Sequence, residues 1–258
     1  MYDKICKTCG GECVLVKEDA TSCTVRCTCC ENEYTYPKQP APQAAVSPVS
    51  QKKEGGEAVF DECIDSVMAL TCRAGNNYYA GSGFAVGKNG YAITNTHVVT
   101  ENGKPVDQIQ AYVCGQTVPA RIVVLGDDRG GRGTGEDLAL IKLSGAPARM
   151  RGVKFSERAV RNGQKLFVIG NALGMGTCIT SGIISDKRRI VEGKPRLMTD
   201  CAVNHGNSGG PVFDESGEVI GAIVAGIDSA EGMNFAIPAD VVLAFLEGCK
   251  RFAPDLKV

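Results

Sequence analysis

Histidine is scarce in this chain of 258 residues, with only His97 and His205 present. Any chemistry that needs an imidazole base must therefore draw on one of these two. No run of eighteen or more apolar residues occurs, and the N-terminus is charged and cysteine-rich. Neither a membrane span nor a secretory signal is expected, and the cytoplasm is the expected compartment. The formal net charge is −1, which argues against a strongly charged partner.

What is present is concentrated in a few short segments. Asn204-His205-Gly206-Asn207-Ser208-Gly209-Gly210-Pro211 is a glycine-flanked serine of the kind that builds a nucleophile and its oxyanion hole from one loop. A serine hydroxyl is a weak nucleophile near neutral pH and needs an adjacent base, itself oriented by a third group. His97 follows the apolar stretch beginning at Tyr91, which reads as a strand delivering its end to a loop. Asp137 opens Asp137-Leu138-Ala139-Leu140-Ile141-Lys142-Leu143, whose alternation reads as a strand with the acid at its start. The candidates run His97, Asp137, Ser208.

Taken together, Thr94-Asn95-Thr96-His97-Val98-Val99, the Asp137–Leu143 segment and Gly206-Asn207-Ser208-Gly209-Gly210-Pro211 resemble the HtrA/Deg family of trypsin-like serine proteases. The likeness covers roughly residues 58–252 and includes Gly170-Asn171-Ala172-Leu173-Gly174, Thr180–Ser185 and Asn234–Pro238. It implies a mainly β fold: a trypsin-like double six-stranded β-barrel with a C-terminal helix. Its implied activity is that of a serine endopeptidase working through an acyl-enzyme on flexible or unfolded proteins, with protein or peptide substrates and no cofactor for catalysis. In that reading His97 exchanges the proton of Ser208, Asp137 holds the imidazole, and the N–H groups of Gly206 and Ser208 receive the oxyanion. The resemblance also lines the pocket for the residue before the cut with Val203, Ala225 and Gly226, without a carboxylate at its base. Small or medium aliphatic residues are then expected there. Members of the family often trimerise, so a homo-oligomer is implied. They often carry a PDZ domain after the protease; none is expected here, because the sequence runs only about a dozen residues beyond the last apolar helix face.

One residue departs from the family pattern, and two further features bear on mechanism. His205 sits three residues before the serine, too close along a tight loop to face it as a base, and is expected at the surface or the substrate rim. Asn207 is uncharged and cannot pair with a newly cleaved N-terminus, so activation of the zymogen kind is not expected. The segment 127–136 is rich in glycine and charge, and reads either as a mobile control loop before Asp137 or as a passive surface loop.

Seven of the thirteen cysteines fall within residues 1–30. Cys6-x2-Cys9 and Cys27-x2-Cys30 form two knuckles around a plausible hairpin, Val14-Leu15-Val16 against Cys23-Thr24-Val25. The pattern resembles a zinc ribbon, in which four thiolates hold a structural ion whose binding supplies folding free energy to a module too small for a core. Cys6, Cys9, Cys27 and Cys30 are the preferred ligands. Cys29 could replace Cys30, and Cys13 with Cys23 could be cross-strand neighbours or a redox pair. A disulfide-stapled knob is the alternative in an oxidising compartment. Residues 1–36 hold four Lys or Arg and six Asp or Glu, a net of −2, which disfavours nucleic acid and favours a protein partner for this module.

The expected organisation is a zinc-ribbon-like module over 1–36, a Pro/Ala-rich tether over 37–57 that cannot bury enough apolar surface to pack, and a protease domain over 58–258. The remaining cysteines, Cys63, Cys72, Cys114, Cys178, Cys201 and Cys249, are expected to act as small apolar residues, with Cys201 close enough to the serine loop to raise the question of a redox switch. The rival function is a protease fold without activity, presenting the ribbon for protein docking.

Overall fold

The computed structural model of the chain describes residues 6, 8–9, 12–18, 22–37, 54–126, 135–226 and 232–257. It divides into two compact units, Met1–Lys52 and Lys53–Val258. Of the expected tether, residues 38–53 lie outside the described residues, and 56–57 belong to the first helix of the second unit.

The first unit is an antiparallel sheet of β1 (Cys13–Glu18), β2 (Ser22–Cys27) and β3 (Glu33–Pro37), in that order. The first two strands are the expected hairpin. The third was not expected from the sequence, although Glu33-Tyr34-Thr35 carries the right alternation. Thr35 faces Thr24 with the hydroxyls 3.0 Å apart, and Arg26 meets Glu33 at 2.5 Å. The apolar interior consists of Val25 with Cys6, Cys13 and Cys27, flanked by Cys30 and Tyr34. So small a cluster offers little hydrophobic stabilisation by itself.

The second unit opens with α1 (Gly56–Cys63), followed by β4 (Val67–Ala74), β5 (Asn77–Val86), β6 (Tyr91–Thr94) and a single helical turn, α2 (Thr96–Val99). A two-residue pair, β7 (Thr100–Glu101) and β8 (Lys104–Pro105), precedes β9 (Gln108–Val113), β10 (Gln116–Leu125) and β11 (Ala139–Leu143). These close a barrel in the order β10-β11-β6-β5-β4-β9. A second barrel, β12-β13-β14-β17-β16-β15, is built from β12 (Lys165–Gly170), β13 (Cys178–Val191), β14 (Lys194–Thr199), β15 (Pro211–Phe213), β16 (Val219–Gly226) and β17 (Asn234–Pro238). The helix α3 (Ala239–Cys249) follows. This is the expected double barrel with its C-terminal helix. No described helix is long and apolar enough to cross a membrane.

Strand period decides how the barrels meet. Side chains alternate between faces along a strand, so a strand that is apolar throughout has two apolar faces to bury. On β6, Ala92 points into the first barrel, while Tyr91 and Ile93 join a cluster shared with the second. On β12, Leu166 and Val168 fill the second barrel, while Phe167 and Ile169 enter the shared cluster. Val242, Phe245, Leu246 and Cys249 of α3 complete it. The chain's end is then tied to the first barrel: Tyr91 donates to the Asp255 carboxylate at 2.5 Å, and Asn89 Nδ2 to its carbonyl at 2.7 Å. This shared packing fixes the loops that carry His97 and Ser208 relative to each other.

Candidate active site

The apolar strand expected to deliver its end to a loop at His97 stops at Thr94, and His97 lies on the helical turn α2. Polar side chains explain the break. Asn95 Nδ2 donates to Asp137 O at 2.7 Å and Thr96 Oγ1 to Leu138 O at 2.8 Å. Carbonyls that a longer ladder would have paired are satisfied this way, and strand pairing begins only at Ala139 opposite Thr94. Asp137 is therefore left before β11, not within it. His97 Nδ1 stands 2.5 Å from Asp137 Oδ2, and the His97 backbone N–H donates to Oδ1 at 3.0 Å. An ionised carboxylate only accepts, so it assigns the proton to Nδ1 and leaves Nε2 as the acceptor. Half of the His97 side chain is exposed, against 23% for Asp137.

Ser208 sits in a loop cinched to the first barrel by Ser82 of β5, a fully buried residue. The Ser82 N–H donates to Ser208 O at 2.9 Å, and its hydroxyl donates to Gly206 O at 2.7 Å while accepting from Asn171 N at 2.8 Å. Gly209 has φ +82°, and a Cβ there would lie 2.4 Å from Ser82 O and 2.9 Å from Asn95 N. The backbone just after Ser208 thus runs against the residues leading to His97, an approach only glycine permits.

The amides of the loop are oriented by one further contact. His205 O accepts from Leu173 N at 2.6 Å. Because the peptide is planar and trans, the Gly206 N–H points the opposite way. Among the described residues neither the Gly206 nor the Ser208 N–H donates to a protein acceptor, an exception to the rule that amides near a protein interior are paired. Two open donors on one turn suit a developing anion. The Ser208 hydroxyl also lacks a hydrogen bond among the described residues, as is common where substrate completes the geometry.

The other residues singled out are distributed as follows. His205 is exposed, and the Asn207 side chain is buried. Val203 is partly buried against the interior of the second barrel. Ala225 and Gly226 end β16 opposite Phe235 and Asn234, with their side-chain surroundings outside the described residues. Most of the glycine-rich segment, 127–134, is outside them as well. Ser82, Asn95 and Asn171 were missed in the sequence, although a serine between the glycines of Gly81-Ser82-Gly83-Phe84 is a usable signal, since a buried hydroxyl must find partners. Cys201 is wholly buried, with Sγ 3.1 Å from Thr180 Oγ1, and burial pushes its thiol up. That disfavours the redox switch. Burial likewise raises Cys63 and Cys72 to about 12, and Cys114 and Cys249 to about 11.

In the first unit the thiols of Cys6, Cys9, Cys27 and Cys30 all lie within 4.8 Å of one another. The Cys6–Cys30 and Cys9–Cys27 separations are 3.6 and 3.5 Å. Four sulfurs bound tetrahedrally to zinc stand about 3.8 Å apart, so only small adjustments are needed. The N–H groups of Thr8 and Cys29 donate to Cys6 Sγ and Cys27 Sγ, each at 3.4 Å. Tyr34, 3.2 Å from Cys6 Sγ, is the chief cause that lowers the Cys6 thiol to about 5, and the N–H groups of Cys30 and Cys29 lower Cys27. Cys13 faces Cys27 in the strand register, and Cys29 is exposed; neither belongs to the group of four. The Cys23 side chain is outside the described residues.

The trypsin-like peptidase domain family matches residues 81–221. Protease Do-like 1, chloroplastic, of Arabidopsis thaliana is 32% identical over 185 residues, which is 67% of this chain and 40% of the relative. A probable periplasmic serine endoprotease DegP-like of Brucella suis is 36% identical over 170 residues, 62% of this chain and 30% of the relative. The chain spans less than half the length of these curated relatives. Among solved structures, the serine endoprotease from Yersinia pestis has a TM-score of 0.66 at 26% identity, covering 78% of this chain and 68% of that one. HtrA-type protease AlgW with tripeptide gives 0.65 at 28% identity, with 74% and 62% covered. The names of the relatives contradict the cytoplasmic compartment expected from the charged N-terminus, since they are periplasmic or chloroplastic. Charge and cysteine content near the N-terminus do not encode a compartment, so they were a poor guide to it. The chain belongs to the trypsin-like peptidase domain family, alongside HtrA and DegP proteases.

Proposed function

We propose that residues 58–258 form a serine endopeptidase whose triad is His97, Asp137 and Ser208. The observation that carries this is the carboxylate of Asp137, which holds both the ring and the backbone of His97 at 2.5 and 3.0 Å. His97 Nε2 takes the Ser208 proton as Oγ attacks the scissile carbonyl, and the oxyanion is received by the Gly206 and Ser208 N–H groups. Collapse of the tetrahedral intermediate breaks the C–N bond, with His97 giving its proton to the leaving amine. Water, deprotonated by His97, then hydrolyses the ester and returns Ser208. Asp137 stays ionised throughout and stabilises the imidazolium.

In the same reading Val203, Ala225 and Gly226 line the pocket for the residue before the cut. None of the three carries a carboxylate, which supports a preference for small or medium aliphatic residues over Lys or Arg. Residues 1–36 form a zinc-ribbon-like module whose ion, held by Cys6, Cys9, Cys27 and Cys30, has a structural role and takes no part in the hydrolysis. The residues between β3 and α1, 38–55, tether it. Its acidic balance supports a protein partner.

Intact mass after exposure to a fluorophosphonate tests the catalytic reading. One adduct on the wild type, absent from Ser208→Ala and His97→Ala but kept in His205→Ala, is expected. No adduct on folded wild type, even with an unfolded protein present, would favour a binding protein on a protease fold.

A further inference from the structure

Two basic side chains reach from the second barrel to the segment just before Asp137. Arg196 of β14 places Nη2 2.9 Å from Glu136 Oε2. Lys194, two residues earlier and hence on the same face of the strand, donates from Nζ to Gly135 O. Glu136 and Arg196 are only 8% and 7% exposed. Charges so deep are rare unless paired, and a packed apolar pair would often be as stable or more so. Stability alone therefore gives little reason for this pair.

The geometry around the pair suggests another use. Arg196 Nη1 donates to Pro195 O at 2.8 Å, which fixes the guanidinium. Glu136 Oε2 is buried without a well-aligned hydrogen bond, so its contact with Arg196 is one of charge. Leu138 N donates to Glu136 O at 2.8 Å, closing a tight bend around Asp137. Beyond the bend, Leu138 O accepts from Gly126 N at 2.7 Å and from Thr96 Oγ1 at 2.8 Å. Asp137 thus sits in a bend that the first barrel holds through Gly126, which also accepts from Gly135 N at 2.9 Å, and through Asn95, while Glu136 alone adds a side-chain tie to the second barrel.

We infer that Glu136 is a positioning residue: held by Arg196, it sets the bend that presents the Asp137 carboxylate to His97, so the geometry of that pair depends on the second barrel. Glu136 acts through Asp137 and touches no reacting atom. Only the catalytic consequence rests on the proposed triad.

The test compares Glu136→Gln, Arg196→Met and the double variant in the full chain by three measurements. These are thermal unfolding, the low-field proton NMR signal of the His97 Nδ1–H shared with Asp137, and the rate of fluorophosphonate labelling at Ser208. Each single variant is expected to lose or shift the low-field signal and to label roughly 10- to 100-fold more slowly. The double variant, free of a lone buried charge, should regain the wild-type Tm without regaining the signal or the rate. A wild-type signal in Glu136→Gln would overturn the inference. So would a double variant whose signal and rate recover together with its Tm, because packing alone would then suffice. A wild type that shows the signal but never labels would sink the peptidase reading and leave the Glu136 comparison legible from the signal.

Discussion

The Ser82 hydroxyl, on a strand of the first barrel, donates at 2.7 Å to the carbonyl of Gly206, in the serine loop of the second. The same oxygen accepts from Asn171 N at 2.8 Å, so one buried atom ties the turn that carries the open amides to the segment following β12. Ser82→Ala leaves a buried carbonyl and a buried N–H unpaired, a loss of about 1–3 kcal/mol in stability. Fluorophosphonate labelling of Ser208 should slow by about 100-fold, the scale of losing one oxyanion donor. Labelling at the wild-type rate, on protein still folded at the assay temperature, would show that the loop holds its shape without Ser82.

Cleavage preference is a separate matter, set by the pocket. With no carboxylate among Val203, Ala225 and Gly226, a peptide library should be cut mainly after Ala, Val or similar residues. A profile led by Arg or Lys would reveal a carboxylate at the pocket base that this reading does not provide.

The thiol cluster predicts about one zinc per chain by elemental analysis. Cys27→Ser should lower that content sharply, and Cys29→Ser should leave it unchanged. Chelation should expose residues 1–36 to proteolysis while Ser208 still labels, because the proposed ion holds the module's fold and not the catalytic site. Retention of zinc by Cys30→Ser together with its loss from Cys29→Ser would exchange those two ligands.

Asp255 offers a pH test. Its hydrogen bond from Tyr91, with lesser help from Lys142, holds its carboxyl below the usual range. A carboxylate with a depressed folded pKa contributes stability above its unfolded pKa of about 3.9, and loses it as pH falls through the folded value. Asp255→Asn should therefore melt below the wild type at pH 7, with the two converging in acid below the usual carboxylate range. A gap in Tm that stays constant down to pH 2 would mean that charge is not what ties the chain's end to the first barrel.

Much of the fold was legible because its strands declare themselves locally. The segments Lys165–Gly170 and Ala139–Leu143 are apolar on both faces, and Glu215-Ser216-Gly217 marks the turn between β15 and β16, where Gly217 takes φ +72°. The short strand β3 escaped notice because a polar, half-exposed strand gives a weak period, and its pairing depends on a partner already in place. The end of β6 was misjudged for the converse reason. Asn95 and Thr96 leave the ladder to bond carbonyls of a segment about forty residues away.

By itself the sequence determined the chemical cast: two histidines, one glycine-flanked serine, an acid before an apolar strand, and two cysteine knuckles. Those are covalent facts and local periods, which need no tertiary information. The tertiary structure alone decided that Ser82 would hold the serine loop and that Glu136 would meet Arg196. It also brought Cys6, Cys9, Cys27 and Cys30 together while leaving Cys13 and Cys29 outside the group. Each is a contact between residues far apart in the chain. Such contacts form only when closed sheets and packed faces bring distant segments within a few ångströms, a distance that no local pattern encodes.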